Sequence, residues 1–239
     1  VNHLLKYLMD EFGNLVWRWN PYDPSSAFID FKCFSNFGCI YEIEEDETYA
    51  VNLDCGFDGV IDRCYHGHQC SFRKAQKEGL SITIAETEKD WKEYYDVYLD
   101  SLRRWGESAL SKIEWDFFQL LFSFSSPNIR LWLVRDGSVV IAGGLCFYAK
   151  KHLVCWHAAN LEAYFSKRPM NFLFMEIMRD ACANGYKWFD FNTSAHLEGV
   201  KTFKKRFGAS ELKCNVLYKK IKPIQGYISL KSFYKKILH

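Results

Sequence analysis

The segment RPMNFLFMEIMRDACANG, residues 168–185, constrains the fold more than any other part of the sequence. Pro169 stands in its first turn and Gly185 follows its last, the positions that these residues favour at helix ends. Between them the apolar residues recur at helical spacing: Met170, Leu173, Phe174, Ile177, Met178 and Ala181. The pattern predicts an amphipathic helix whose apolar face packs on other elements.

The segments around this helix alternate between strand and helix patterns. LSITIAET predicts a strand, and two amphipathic helices follow it in EKDWKEYYDVYLDSLRRW and KIEWDFFQLLFSF. IRLWLVRDGSVVIAGGLCFY predicts a hairpin with a type I′ turn at Asp136-Gly137, and HLVCWHAANL predicts another strand. After the long helix come a strand in KWFDFNTS, a short helix that ends at Gly208 and a last strand in ELKCNVLYKK. The sequence therefore predicts a mixed α/β domain over residues 81–218.

The residues on either side of this domain carry fewer signals. LVWRWN and YEIEEDETYAVNLD predict strands, and a helix is predicted from Asp58 to Gly79. Because eighty residues with irregular stretches give a marginal core, residues 1–80 are expected to pack against the domain that follows. Residues 219–239 form a basic tail with apolar residues at helical spacing. The chain begins at Val1 rather than Met, which leaves open whether it is a piece of a longer protein.

The composition narrows the class of protein. A net charge of +2, with 25% charged residues, gives no overall field that would require a nucleic-acid partner. No signal peptide pattern is present, and the longest apolar run, VVIAGGLCFYA, is shorter than the ~18 residues that span a bilayer. These features predict a cytoplasmic protein whose nine cysteines stay reduced.

The densest group of metal-ligating residue types is CYHGHQC, which contains Cys64, His66, His68 and Cys70. In a helix, Cys64 faces the same side as His68, and His66 faces the same side as Cys70. The two pairs point about 200° apart, so four ligands cannot reach one metal ion without breaking the helix. The sequence therefore favours surface and core positions over a zinc site, and no metal is predicted.

Two stretches resemble the FemAB-type acyltransferases. FDFNTS followed by GVKTFKKRFGAS is similar to the family's signature strand and helix, and SFRKAQKEGLSI is similar to the segment that joins its two halves. The order of strands and helices is also that of a GNAT domain, the fold on which this family is built. The resemblance reaches from about Thr48 to Tyr218. It implies a GNAT-like mixed twisted sheet flanked by helices in residues 81–218, preceded by an abbreviated first GNAT-like half in residues 1–80.

Lys204 is the main candidate for chemistry. Wound as a helix, residues 199–208 place Val200, Phe203 and Phe207 in one apolar stripe, with Lys204 at its edge. The resemblance implies that Lys204 faces the substrate channel and balances a phosphate, or the oxyanion formed when an amine attacks an acyl carbonyl. The alternative is that the lysine extends along the phenylalanines to solvent.

His157 and Asp190 are the other catalytic candidates. His157 lies mid-strand in CWHAAN, where GNAT enzymes receive the amine, and an ordinary pKa of about 6.5 would suit a general base. The alternative is a histidine satisfied within the core. Asp190 points opposite to Phe189 and Phe191, either into the cleft or towards a helix N-terminus.

The remaining candidates are substrate-binding residues. Tyr148, Asn192 and Phe203 are expected to contact the substrate beside the catalytic candidates. Arg73 and Lys74 lie in the last turns of the predicted helix that ends near Gly79. They could hold a phosphate, or they could simply complement the negative end of the helix dipole.

The donor stays open between aminoacyl-tRNA and acyl-CoA. Enzymes that use acetyl-CoA carry a glycine-rich loop whose N–H groups hold the pyrophosphate at a helix N-terminus. The corresponding segment here, NLEAYFSKRPMNF, has no glycine, and its proline lacks an N–H. The usual cradle for CoA is therefore absent from the sequence.

Three functions follow from these observations. The resemblance implies transfer of an aminoacyl or acyl group onto an amine of a cell-wall or polysaccharide precursor. A CoA-dependent N-acetyltransferase acting on an amino sugar or another small amine is the second, and a non-catalytic GNAT-like binding module is the third. The lysine-rich tail could dock on the domain as a helix, or contact an anionic partner such as tRNA or a membrane surface.

Overall fold

The computed structural model describes residues 15–22, 40–106, 112–194 and 197–220. The chain separates into two compact units. We call residues 49–210 the central unit, and residues 1–48 together with 211–239 the terminal unit. The predicted tail beyond residue 220 lies outside the described residues, as do residues 1–14 and 23–39.

The described elements follow the predicted succession closely. The strands are β1 (Leu15–Arg18), β2 (Ile40–Asn52), β3 (Ser81–Ile84), β4 (Ile129–Asp136), β5 (Val139–Ala149), β6 (His152–Asn160), β7 (Trp188–Asp190) and β8 (Ser210–Lys220). The helices are α1 (Gly56–Arg63), α2 (His66–Lys77), α3 (Glu88–Trp105), α4 (Trp115–Ser123), α5 (Pro169–Ala183) and α6 (Glu198–Lys205). A 3₁₀-helix, Glu162–Lys167, precedes α5.

The central unit is built on strands in the order β2-β7-β6-β5-β4-β3. Neighbouring strands are antiparallel except β6 and β7, which are parallel and are connected through α5. This parallel ladder is short, since it pairs only residues 152–154 with residues 188–190. Beyond Val154 and Asp190 the two strands are no longer paired, which leaves an opening in the sheet.

Helices cover both faces of this sheet, because alternate residues of each strand point to opposite sides. From β4, Leu131 and Leu133 join a cluster with α3 and α4. Trp132 and Val134 instead join a larger cluster with α1, α2 and α5. The mixed sheet flanked by helices that the sequence predicts is confirmed.

Helix α3 begins at a capping box and lies very close to the sheet. Thr87 Oγ1 accepts the backbone N–H of Asp90 at 3.2 Å, and Asp90 Oδ2 accepts that of Thr87 at 3.0 Å. A Cβ at Gly143 of β5 would lie 2.5 Å from Cδ2 of Tyr94 and 2.8 Å from the Trp132 carbonyl oxygen. Only a glycine at this position allows the Tyr94 ring to rest directly on the strand.

The single helix predicted from Asp58 to Gly79 is wrong. Cys64 is extended (ψ 138°) and ends α1, and Tyr65 begins a separate helix, α2. The Tyr65 N–H donates to the Arg206 carbonyl oxygen at 2.8 Å, and the Gln69 side chain donates to the Cys64 carbonyl oxygen at 2.9 Å. These tertiary bonds satisfy the backbone groups that the break leaves open, so two shorter helices form.

The β4–β5 hairpin is confirmed, but its turn is not type I′. A type I′ turn needs positive φ at both central residues, whereas here only Gly137 (φ 58°) has one and Ser138 does not. Glycine at the first central position with a positive φ is typical of the type II′ turn. Both turn types match the twist of the flanking strands, so the sequence could not separate them on that ground.

In the terminal unit, β1 pairs with β8 in antiparallel register. Arg18 Nη1 lies 2.6 Å from Asp46 Oδ2. The strand predicted in LVWRWN is confirmed, and β8 extends through Lys220, two residues into the predicted tail. Helices α1 and α2 belong to the central unit. The domain boundary at residue 80 stays a prediction. Within the described part of the chain, no helix combines the length and the hydrophobicity needed to span a membrane.

Candidate active site

A cavity of about 500 Å³ opens in the central unit where β6 and β7 separate. Strand β6 contributes Cys155–Ala158 to its wall, the segment after β7 contributes Phe191–Ser194, and α6 contributes Val200, Phe203 and Lys204. Aromatic and apolar side chains complete it: Tyr98, Trp105, Ile113, Met170, Phe174 and Leu197. The described lining is therefore mostly apolar, with a few polar groups.

A β-bulge brings four successive residues of β6 to this wall. His157 pairs with Leu145 and Cys155 pairs with Cys146, so Trp156 is an extra residue without a partner in β5. In a regular strand, alternate residues would face away from the cavity. The bulge interrupts this alternation and turns both Trp156 and His157 towards the opening.

Lys204 is buried in the wall, with 7% of its surface exposed. Its Nζ donates to the carbonyl oxygens of Asn192 at 2.9 Å and Thr193 at 2.8 Å. The alternative in which this lysine extends to solvent is therefore wrong. The ammonium group ties the segment after β7 to α6 and places a positive charge beside the cavity.

His157 is surrounded by aromatic rings from α3, α4 and its own strand. Its ring centroid lies 4.8 Å from that of Tyr98 and 6.0 Å from that of Phe118. The Tyr94 hydroxyl lies 2.6 Å from Nδ1. The prediction of an ordinary pKa is wrong, because burial among these rings lowers the pKa of His157 to about 4. The imidazole is consequently neutral at neutral pH and a weak base.

Ser194 supplies a polar group that sequence reasoning missed. The residue is 3% exposed and lines the cavity. Among the described residues, no partner lies within hydrogen-bond distance of its hydroxyl. Buried hydroxyls in folded proteins are normally bonded, so an unpartnered one in a cavity wall is a candidate for contact with a bound molecule.

The segment after β7 is shaped by Asp190 and Asn192. Asp190 is buried, and its Oδ1 accepts the Asn192 N–H at 2.6 Å. Asn192 has a positive φ of 64°. Both Asn192 and Phe203 line the cavity. Asp190 itself is not part of the cavity wall. It holds the turn that presents the Asn192 carbonyl oxygen to Lys204.

Three predicted substrate-binding residues are not brought to the cavity. Tyr148 lies in the core, where its hydroxyl accepts the Trp132 Nε1–H at 2.9 Å and burial raises its pKa. Arg73 and Lys74 are exposed on α2 and do not line the cavity. The structure thus places Lys204, His157, Asn192 and Phe203 together and separates these three from them.

The residues of CYHGHQC have different partners. His68 is 8% exposed, its Nδ1 lies 2.7 Å from Asn171 Nδ2, and its Nε2 lies 3.2 Å from the Phe203 carbonyl oxygen. Cys64 Sγ bonds to the Arg206 carbonyl oxygen, whereas the exposed Cys70 Sγ lies near His66 Nε2. Over the residues that the structure describes, no three His, Cys, Asp or Glu side chains are grouped to hold a metal ion. Through its contacts with Asn171 and Phe203, His68 instead connects α2 to α5 and α6.

The N-terminus of α5 is a poor fit for the pyrophosphate of CoA. The segment before it is a 3₁₀-helix without glycine, and Arg168 there has a positive φ of 60°. Pro169 occupies the first position of α5 and offers no N–H. The glycine-rich cradle that holds a pyrophosphate in acetyl-CoA enzymes is therefore absent from this segment.

The sheet opening and its cavity, with a buried lysine in the wall, lie within a segment that matches a family of acyltransferases. Residues 70–205, more than half of the chain, match the family described as acetyltransferase (GNAT) domain. The chain belongs to this family. No curated protein sequence matches it.

Several solved structures have a similar fold. FemX superimposes with a TM-score of 0.69 at 12% identity, covering 100% of this chain and 79% of FemX. L-PGS from Bacillus licheniformis gives a TM-score of 0.64 at 14% identity, covering 99% and 76%. A C-terminal domain from Agrobacterium fabrum, provisionally assigned to a lysylphosphatidylglycerol synthetase, gives 0.56 at 15% identity, covering 74% and 61%. The similarity to FemX supports the FemAB-like fold that the sequence motifs imply.

Proposed function

We propose that the chain transfers an aminoacyl group from aminoacyl-tRNA onto an amine of a cell-wall or polysaccharide precursor. The observation that carries this proposal is the cavity where β6 and β7 separate, in which Lys204, His157 and Ser194 line a mostly apolar wall. The sequence resemblance and the similarity in fold to FemX and L-PGS support an aminoacyl donor. The proposed reaction is cytoplasmic, where aminoacyl-tRNA is available.

The reaction is a direct attack. The amine nitrogen forms a bond to the acyl carbonyl carbon, the ester C–O bond breaks, and one amine proton ends on the released hydroxyl. Negative charge develops on the carbonyl oxygen during attack, and the fixed positive charge of Lys204 stabilises it beside a mostly apolar wall. Because the amine attacks the donor itself, the scheme needs no nucleophilic side chain.

A CoA-dependent N-acetyltransferase is the second candidate, and the description of the matching family favours it. The poor fit of the α5 N-terminus to a pyrophosphate weighs against it. The two candidates differ in the donor, so the donor is the quantity to measure.

The test supplies each donor separately. Purified protein is incubated with a UDP-sugar peptide and either labelled aminoacyl-tRNA or labelled acetyl-CoA, and the amide product is measured by mass spectrometry. We expect label only from aminoacyl-tRNA, and no thermal shift with acetyl-CoA. Acetylated product would replace this proposal with the second candidate. No transfer and no binding of either donor would favour a binding module.

The basic tail gives this proposal a partner surface to test. Residues 219–239 contain lysines and no acidic residue, so they suit the acceptor arm of a tRNA or an anionic membrane surface. Deleting residues 223–239 should weaken binding to tRNA or anionic vesicles in a salt-dependent way. A truncated chain that unfolds would instead indicate that the tail is part of the core.

A further inference from the structure

Tyr94, which is buried, and His157, which is half-buried, form a hydrogen-bonded pair beside the cavity. Tyr94 is completely buried on α3, and its ring rests on Gly143 of β5. Its hydroxyl lies 2.6 Å from His157 Nδ1 and 3.5 Å from the His157 carbonyl oxygen. Only the shorter of these distances is that of a good hydrogen bond. The Tyr94 hydroxyl thus forms its hydrogen bond with one nitrogen of the imidazole, Nδ1.

The geometry of this pair determines where the imidazole proton lies. Burial raises the pKa of Tyr94 well above its usual value, so the hydroxyl keeps its proton. If Nδ1 carried the imidazole proton and donated it to the hydroxyl, the tyrosine proton would have only the distant carbonyl oxygen to bond. The hydroxyl therefore donates to Nδ1, and the proton of the neutral imidazole lies on Nε2.

The second ring nitrogen, Nε2, is the one left for a bound molecule. His157 lines the cavity wall, its Nδ1 is bonded to Tyr94, and within the described part of the chain no hydrogen bond to Nε2 is present. The side chains around the ring are aromatic: Tyr98, Trp105, Phe118 and Trp156. The titratable groups that face it are the hydroxyls of Tyr94 and Tyr98 and the thiol of Cys155 on its own strand. A carbonyl oxygen of a bound acyl group would provide the missing acceptor.

We infer that His157 is a hydrogen-bond donor to the acyl carbonyl oxygen through Nε2–H, and that Tyr94 is the positioning residue that fixes this tautomer. The inference rests on the proposed function for the identity of the substrate, and replaces the general-base role expected from the sequence. A neutral imidazole suits the task, since its N–H stabilises developing negative charge without giving up the proton. The amine proton then leaves by another route, to the departing hydroxyl or to water.

The tautomer can be measured without any substrate. Nitrogen-15 NMR of histidine-labelled protein should show the proton of His157 on Nε2 at pH 7. Tyr94→Phe should convert this signal to a mixture of tautomers, whereas Tyr95→Phe, one residue along α3, should leave it unchanged. A proton on Nδ1 in the wild-type protein would overturn the inference.

Activity measurements test the contact with the substrate. His157→Ala should lower kcat by about 10²-fold, the usual cost of one oxyanion donor. His157→Gln should recover at least tenfold of that loss, because an amide N–H can donate but cannot act as a base. Equal activity of the Ala and Gln variants, or no loss in either, would contradict the donor role. Inactivity of the wild type with every donor would defeat the proposed function, while the NMR result would still decide the tautomer.

Discussion

Two histidines of the central unit, the buried His68 and the half-buried His157, differ in what contacts their second nitrogen. His68 is bonded on both sides, by the Asn171 amide and by the Phe203 carbonyl oxygen, and it stacks on Phe207 at 4.4 Å. His157 lines the cavity, and among the described residues only Tyr94 bonds its ring, through Nδ1. Burial lowers the pKa of both rings. His68 therefore connects three helices, whereas His157 is available to a substrate.

We call the contacts of His68 with α5 and α6 the closed side, and the cavity wall around His157 and Lys204 the open side. The closed side helps to position the open side. The Phe203 carbonyl oxygen that His68 holds belongs to α6, which also carries Lys204. Lys204 in turn holds the Asn192 and Thr193 carbonyl oxygens, which lie in the cavity wall. The position of the cavity wall therefore depends on the contacts of His68, which lie outside the cavity. Variants on the closed side should lower the free energy of unfolding, and variants on the open side should lower activity.

The largest expected effect is on the open side. Lys204→Ala should lower transfer activity by about 10²-fold, because it removes the fixed charge beside the reacting carbonyl. It should also destabilise the fold by about 1–3 kcal/mol, since two partly buried carbonyl oxygens lose their donor. Steady-state kinetics and thermal melts measure the two effects. The exposed Lys205 provides the control, and an equal activity loss in Lys205→Ala would point to a general charge effect.

The closed side should respond in stability alone. His68→Ala removes two hydrogen bonds and a stacked ring, and should cost about 2 kcal/mol in the free energy of unfolding. At a temperature where the variant is folded, activity per folded molecule should stay within about threefold of wild type. Urea titration and active-site-normalised kinetics give both quantities. A loss in activity that exceeds the loss of folded protein would contradict a purely structural role for His68.

Acid should weaken both regions. An unfolded histidine takes up a proton near its ordinary pKa of about 6.5, whereas the folded rings resist protonation. Stability contributed by the neutral rings is therefore present above pH 6.5 and is lost as the pH falls below it, in the case of His157 down to about 4. We expect the free energy of unfolding to be lower at pH 5 than at pH 7 by an amount on the order of 1 kcal/mol, measured by urea titration at these two pH values. The effect should shrink in His157→Gln and in His68→Gln, and an unchanged loss in both would assign it to other groups.

The smallest effect concerns the unpartnered hydroxyl. Ser194→Ala should raise KM about fivefold if the hydroxyl bonds a substrate, as expected for one neutral hydrogen bond. Stability should be unchanged or slightly higher, because a buried hydroxyl without a partner is removed. Ser101→Ala is the contrast, since Ser101 Oγ donates to the Asn160 carbonyl oxygen at 3.0 Å. Loss of stability in Ser194→Ala would indicate a structural partner for that hydroxyl.

Elements with strong local signals could be predicted from the sequence. The long helix appears as α5 with Pro169 in its first turn, and α3 spans the predicted segment from Glu88 to Trp105. Lys204 could be selected because its place on a short amphipathic helix is a local property of the sequence. The family motif and the helical stripe pointed to the same residue.

Features that depend on distant contacts could not be predicted. The bulge at Trp156 changes which β6 residues face the cavity, so strand alternation gave no sign of it. The pKa of His157 is lowered by rings from α3 and α4 that lie far away in sequence. The break at Cys64 depends on Arg206, and Ser194 stands out only because its surroundings lack a partner.

Gly143 limits how this site can be redesigned. A glycine within a strand weakens the strand by roughly 0.5–1 kcal/mol relative to alanine, yet a methyl group there would collide with the Tyr94 ring. Position 143 therefore tolerates no side chain while Tyr94 is present. A larger residue at position 143 would require a smaller one at position 94, which removes the hydroxyl that reaches His157, and also a shift of the Trp132 carbonyl oxygen. Gain of strand stability and retention of the imidazole's orientation are thus mutually exclusive at this point of the sheet.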